Sequence, residues 1–115
     1  MFNVFVYGVA RPAYNLGKLE YLNHCPAILN GYEMCIFGAY PTIVPGRGKV
    51  IGDLVGVDIK GFEFISEMEG WIGEKEDVMV LVEGGETCSA LTFVSPVLKV
   101  GAAHRLLSGD WLDSW

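Results

Sequence analysis

The sequence predicts an α+β domain with a mostly β core and two or three short helices. Three observations predict it. Short runs rich in Val, Ile, Phe and Thr recur along the chain, broken by Gly and Pro. Two of these runs, "DVMVLVE" and "TCSALTFV", flank Gly-Gly-Glu, a hairpin signal. One segment, "KGFEFISEMEGW", changes to a helical period, with Phe62, Ile65 and Met68 on one face and Glu69 beside it. The chain has 115 residues, 51% of them hydrophobic and 19% charged. That is enough for one domain spanning residues 1–115 and for one buried core.

The elements follow in order. "FNVFVY" (Phe2 to Tyr7) alternates and is rich in Phe and Val, so it reads as a strand. Leu16, Leu19 and Leu22 recur at three-residue intervals, which predicts a short helix from Leu16 to His24 with Asn15 as its N-cap. "PAILNGYEMCIF" reads as a strand, a break at Asn30-Gly31 and a second strand to Phe37. "TIVPGRGKVIGDLVGVD" reads as a strand end, a Pro-Gly-x-Gly turn and a long strand from Lys49 to Val57. Helix follows Asp58, and then the hairpin. The tail is mixed, with a short helix predicted from Ala102 to Leu107 and Trp111 expected to pack on the domain as an anchor.

Composition excludes several classes of function. The net charge is −6, and the eight Lys and Arg are scattered. Nucleic acid binding needs a basic face, and anionic membranes attract basic segments, so neither partner is expected. No stretch approaches the roughly 20 apolar residues of a membrane span. The start, "MFNVFVYG", lacks a basic region and a cleavage site, so the expected location is cytoplasmic. Cys25, Cys35 and Cys88 are an odd set without C-x-x-C spacing, which fits free thiols in a reducing compartment. His24 beside Cys25 is the one pair that suggests a metal. Neighbours on a strand point to opposite faces, and His104 lies far off in sequence, so no metal is expected.

Candidate chemistry begins where the first strand stops. Tyr7-Gly8 ends an apolar run and opens a loop through Val9, Ala10 and Arg11. Glycine there lets the backbone turn and lets another molecule approach closely. The N–H groups after Gly8, on Val9 and Ala10, are then candidate donors to a carboxylate or to a carbonyl oxygen gaining charge. A plain turn is the other reading of the same residues.

The order of motifs goes further. Tyr7-Gly8-Val9-Ala10-Arg11 is followed by Tyr40-Pro41 with Pro45-Gly46, then Gly52-Asp53-Leu54, then Ile65-Ser66-Glu67-Met68-Glu69-Gly70, and finally Gly109-Asp110-Trp111. Across nearly the whole chain this resembles the γ-glutamyl cyclotransferase-like family, including its AIG2-like and small bacterial branches. The resemblance implies a small, twisted mixed β-barrel with short helices and a pocket at one end. It implies that the Tyr7–Arg11 loop binds the γ-glutamyl group through backbone N–H groups, and that Glu69 is the catalytic acid–base. It implies a small γ-glutamyl compound as substrate and no cofactor. The implied reaction is attack of the substrate's own α-amine on its γ-carbonyl, releasing 5-oxoproline and an amine. From the residues alone, Glu69 also reads as a solvated glutamate at a helix end.

The chain departs from the family pattern at three places. Val9-Ala10 replaces Thr-Leu, Ser66 replaces the Asp three residues before the key Glu, and "IGEKEDVMV" lacks the usual Tyr-x-Arg. Arg11 is then a candidate cation for the substrate's carboxylate, with a structural salt bridge as its other reading. The alternative function is a non-catalytic member that keeps the fold to bind a small ligand or a protein.

Overall fold

Strand β1 (Phe2–Val6) runs between two others and is buried on both faces. The computed structural model of the chain describes residues 1–8, 10–12, 20–37, 40–69, 73–95, 104–106 and 108–111. Besides β1 these form β2 (Asn23–Phe37), β3 (Tyr40–Val57), α1 (Ile59–Glu69), β4 (Glu74–Val82), β5 (Thr87–Val94) and β6 (His104–Leu106). β1 pairs antiparallel with β3, from Phe2 opposite Val57 to Val6 opposite Asp53, and parallel with β5 at Val4 and Leu91. Its alternation sorts two apolar layers. Phe5 and Tyr7 enter the barrel interior with Leu29, Met34, Ile43, Val50 and Val80. Val4 and Val6 pack on the other side with Val55, Val57, Ile65 and Phe93, beneath α1.

The order β3-β1-β5-β4-β2, with β2 returning to β3, closes a five-stranded mixed barrel. β2 and β3 are long because they form one hairpin whose register shifts between Asn30 and Tyr32. The predicted break at Asn30-Gly31 and the predicted turn at Pro45–Gly48 are therefore one feature. Gly31 faces the extra residues Gly46, Arg47 and Gly48, a bulge that bends two continuous strands. β4 pairs with β5 along its length and with β2 only at Ala27–Val82 and Ile28–Leu81.

Two predicted helices need correction. Residues 104–106 are not helical; they form β6, paired with β2 from Met34 to Ile36, where β4 no longer covers that edge. The free ladder groups of β2 and the burial of Leu106 against the barrel core decide the conformation there. In the predicted Leu16–His24 helix, Asn23 and His24 open β2, and the Leu22 N–H donates to the Gly56 carbonyl at 2.8 Å. The chain is already zipped to β3 at that point; residues 16–19 lie outside the described residues. The predicted helix after Asp58 forms as α1. Asp58 caps it, its Oδ1 accepting the Gly61 N–H at 2.9 Å. Ile65 is buried, while Phe62 and Met68 are half-buried beside it. Phe62 also stacks on Phe2 with ring centres 4.6 Å apart. Among the described residues no helix is long and apolar enough to cross a membrane.

The tail is pinned at Gly109. Its φ of 70° and the absence of a side chain are both required, because a Cβ there would land on the Lys49 carbonyl oxygen. The Gly109 carbonyl accepts the Ile51 N–H at 2.7 Å, and this delivers Trp111 to the barrel core, where it is buried. Trp111→Ala should therefore destabilise the fold by about 3–5 kcal/mol, the usual cost of emptying a buried Trp site. Thermal unfolding checks this as a clearly lowered Tm, and an unchanged curve would mean the tail is dispensable. Trp115 lies outside the described residues.

Candidate active site

Glu69 is the last residue of α1, which packs on β1 and β3. Its carbonyl accepts the Gly73 N–H at 3.1 Å as the chain leaves the helix. The side chain is half-buried by surface, but the surrounding atoms withdraw the carboxylate from water. This desolvation pushes its pKa from 4.5 up to about 7. The charge of Glu69 is felt by a buried tyrosine. The Tyr7 hydroxyl is held well above its usual pKa, first by burial and then by the charge of Glu69.

Tyr7 belongs to a buried network of hydroxyls. Its OH donates to the Phe93 carbonyl at 2.7 Å and is also bonded by Thr42. Thr42 Oγ1 lies 2.6 Å from Ser95 Oγ, both residues being fully buried, and the Ser95 N–H donates to the Ile43 carbonyl at 2.8 Å. These bonds fix Tyr7 in place, since a satisfied polar network inside a core tolerates little movement.

Gly8 follows. A Cβ on it would come within 2.9 Å of the Pro41 ring and 4.0 Å of Trp111. Three of the sequence motifs thus converge there, and close approach is the reason for glycine. Ala10 is buried, and its carbonyl accepts a hydrogen bond from the Tyr21 hydroxyl. Val9 lies outside the described residues.

Arg11 is buried and held by two carboxylates. Its Nε donates to Asp53 Oδ2 at 2.8 Å and its Nη1 to Asp110 Oδ1 at 3.0 Å. The Arg11 N–H donates back to the Gly8 carbonyl at 3.0 Å, closing the loop as a turn. Of its two sequence readings, the salt bridge is the one the geometry displays. Asp53 and Asp110 come from Gly-Asp-Leu and Gly-Asp-Trp, so the clamp joins three motifs.

Other candidates behave differently. Cys25, Cys35 and Cys88 are free thiols. His24 is exposed, Cys25 is half-buried, and no group of three His, Cys, Asp or Glu is disposed to hold a metal among the described residues. Ser66, one turn before Glu69, has a buried hydroxyl with no hydrogen-bond partner. Residue-by-residue reading missed Thr42 and Ser95, which carry no charge or spacing signal.

The raised pKa of Glu69 has a consequence for stability. Folding favours its protonated form, so the stability it contributes is fully present below about pH 4.5 and is lost as pH rises through about 7. Glu69→Gln cannot titrate there. The variant should gain Tm relative to the wild type between pH 5 and pH 8, measured by thermal unfolding. A constant difference across that range would mean a solvated carboxylate.

The described strands close a small five-stranded mixed barrel, and Glu69, its pKa raised by burial, ends the helix that packs on it. The model of the γ-glutamyl cyclotransferase, AIG2-like family matches residues 4–113, and the chain belongs to that family. A solution structure from Arabidopsis thaliana is 30% identical, covers 99% of this chain and 72% of that one, and superposes with a TM-score of 0.71. YtfP of Escherichia coli is 25% identical, with 98% of each chain covered and a TM-score of 0.66. An AIG2-like protein of Mus musculus, 19% identical over 83% of this chain and 77% of that one, has the same fold with a TM-score of 0.70. No curated protein matches the chain.

Proposed function

We propose that the protein is a cytoplasmic γ-glutamyl cyclotransferase that cleaves a small γ-glutamyl amide. The observation that carries this reading is Glu69, a carboxylate with a pKa of about 7 beside the Tyr7-Gly8 loop. A proton carrier works best when its pKa lies near the working pH. Membership of the γ-glutamyl cyclotransferase, AIG2-like family supports the choice of substrate.

In the proposed reaction the substrate's α-amine nitrogen bonds to its own γ-carbonyl carbon. Glu69 takes a proton from that nitrogen. The γ-carbonyl oxygen gains negative charge, which the backbone N–H groups of Val9 and Ala10 stabilise. Backbone donation does not depend on the side chains that replace Thr-Leu here. The tetrahedral centre then expels the amide nitrogen, which takes the proton from Glu69. The C–N amide bond breaks, and 5-oxoproline and an amine leave. Holding the substrate folded on itself supplies much of the acceleration, since effective molarities of about 10⁵–10⁸ M are available to well-oriented intramolecular attack. Arg11 takes no part in the chemistry; through Asp53 and Asp110 it positions the loop.

Incubating the protein with a panel of γ-glutamyl dipeptides and γ-glutamyl amines tests the reading. Release of 5-oxoproline from at least one is expected. Binding without turnover would favour the non-catalytic alternative.

A further inference from the structure

We propose that Arg105 receives the α-carboxylate of the γ-glutamyl group. This rests on the reaction proposed above and names the residue that selects its substrate. Pairing sets Arg105 of β6 beside Cys35 of β2, and Cys35 beside Thr42 of β3. Directly paired residues share a face, so the three form one row across three strands spaced about 5 Å apart. Thr42 bonds the Tyr7 hydroxyl, and the Glu69 charge acts on that same hydroxyl. The Arg105 side chain reaches the middle of that row, its Nη1 donating to Cys35 Sγ at 2.6 Å.

The charge of Arg105 is poorly matched where it stands. Burial raises the Cys35 thiol more than Arg105 lowers it, so the sulfur under the guanidinium is neutral. Glu33 makes one contact, Oε1 to Nε at 3.5 Å, with the two side chains 40% and 34% exposed. Its other oxygen accepts the Arg47 N–H at 3.1 Å. A pair so exposed is weak, and a guanidinium has five donors. Arg105 also walls a groove of about 160 Å³ with Lys49, Gly48 and Glu33, floored by Met34 and Leu106. A second cation therefore stands at the same opening. The planar fork of an arginine suits a carboxylate, and the γ-glutamyl group carries one beside its attacking amine. Arg11 is already bound to Asp53 and Asp110.

The test compares a γ-glutamyl amine with its α-carboxamide counterpart, on the wild type, Arg105→Gln and Arg105→Lys. The wild type should favour the carboxylate compound by about tenfold to a hundredfold in kcat/KM. Arg105→Gln should lose that preference, chiefly through KM, and Arg105→Lys should retain part of it. All three should treat the carboxamide alike and share a thermal unfolding curve. An undiminished preference in Arg105→Gln, or an equal loss on both compounds, overturns the assignment while leaving the proposed reaction intact. A wild type that neither turns over nor binds any γ-glutamyl compound, by titration calorimetry, overturns the proposed reaction itself, and this inference with it.

Discussion

Glu69→Gln should release 5-oxoproline at least about a hundredfold more slowly than the wild type, while folding normally and still binding substrate. Glutamine keeps the size of the side chain and much of its hydrogen bonding but carries no exchangeable acid proton near neutral pH. A positioned acid–base group contributes typically about 10²–10⁴-fold, and Glu69 acts twice in the proposed reaction, once on each nitrogen. The loss should fall on kcat, with KM nearly unchanged, because the interaction belongs to the transition state. In the wild type, kcat/KM should rise with pH through about 7 as Glu69 ionises in the free enzyme. The steady-state profile of the two proteins checks both statements. A variant as fast as the wild type would move the role to another carboxylate, with Glu67 the first to mutate.

Arg11→Ala should lower the Tm by about 10 °C or more. The substitution leaves Asp53 and Asp110 without the cation they share, with side chains only 13% and 23% exposed. Breaking a buried pair by removing one partner costs about 3–5 kcal/mol, here chiefly because the Asp53 carboxylate stays buried without its cation. The loop bond from the Arg11 N–H to the Gly8 carbonyl survives in principle, as it belongs to the backbone. The effect on stability should accordingly exceed that on the chemical step. Arg11→Lys should restore little, since one ammonium cannot span the two carboxylates as the fork does. Thermal unfolding with kcat measured well below the transition separates the two effects. A stable Arg11→Ala variant that has lost its affinity for substrate would instead make Arg11 a ligand-binding residue.

What could be read from the residues was local. The β1 alternation, the 3.6-residue period of Phe62, Ile65 and Met68, and the Gly-Gly hairpin each depend on neighbours a few positions apart, and each is found in the structure. Glu69 lies beside that face, but periodicity did not single it out; the order of motifs did, through the family resemblance. Its raised pKa was not legible, because desolvation comes from the packing of distant segments around it. β6 escaped for a related reason. Residues 104–106 extend only because β2 offers them an open edge, and no local preference announces that. In the bulge, Asn-Gly and Pro-Gly look like punctuation taken singly, yet the strands run through both. Arg11 is the clearest instance. Its partners lie 42 and 99 residues away, so no spacing rule joins them. The motifs that contain them could be recognised as an ordered set, but the physical reason for their company is a three-way ion cluster that exists only in the folded chain.

The reaction proposed for Glu69 is intramolecular, and the oxygen of solvent water tests that most directly. The protein is incubated with a γ-glutamyl amine in water enriched in ¹⁸O, and the products are weighed by mass spectrometry. The amine of the substrate attacks its own γ-carbonyl, so no solvent oxygen enters. The expected product is unlabelled 5-oxoproline, formed one-to-one with the released amine. Glutamate carrying ¹⁸O in its γ-carboxylate would contradict the account, since it would mean that water is the nucleophile.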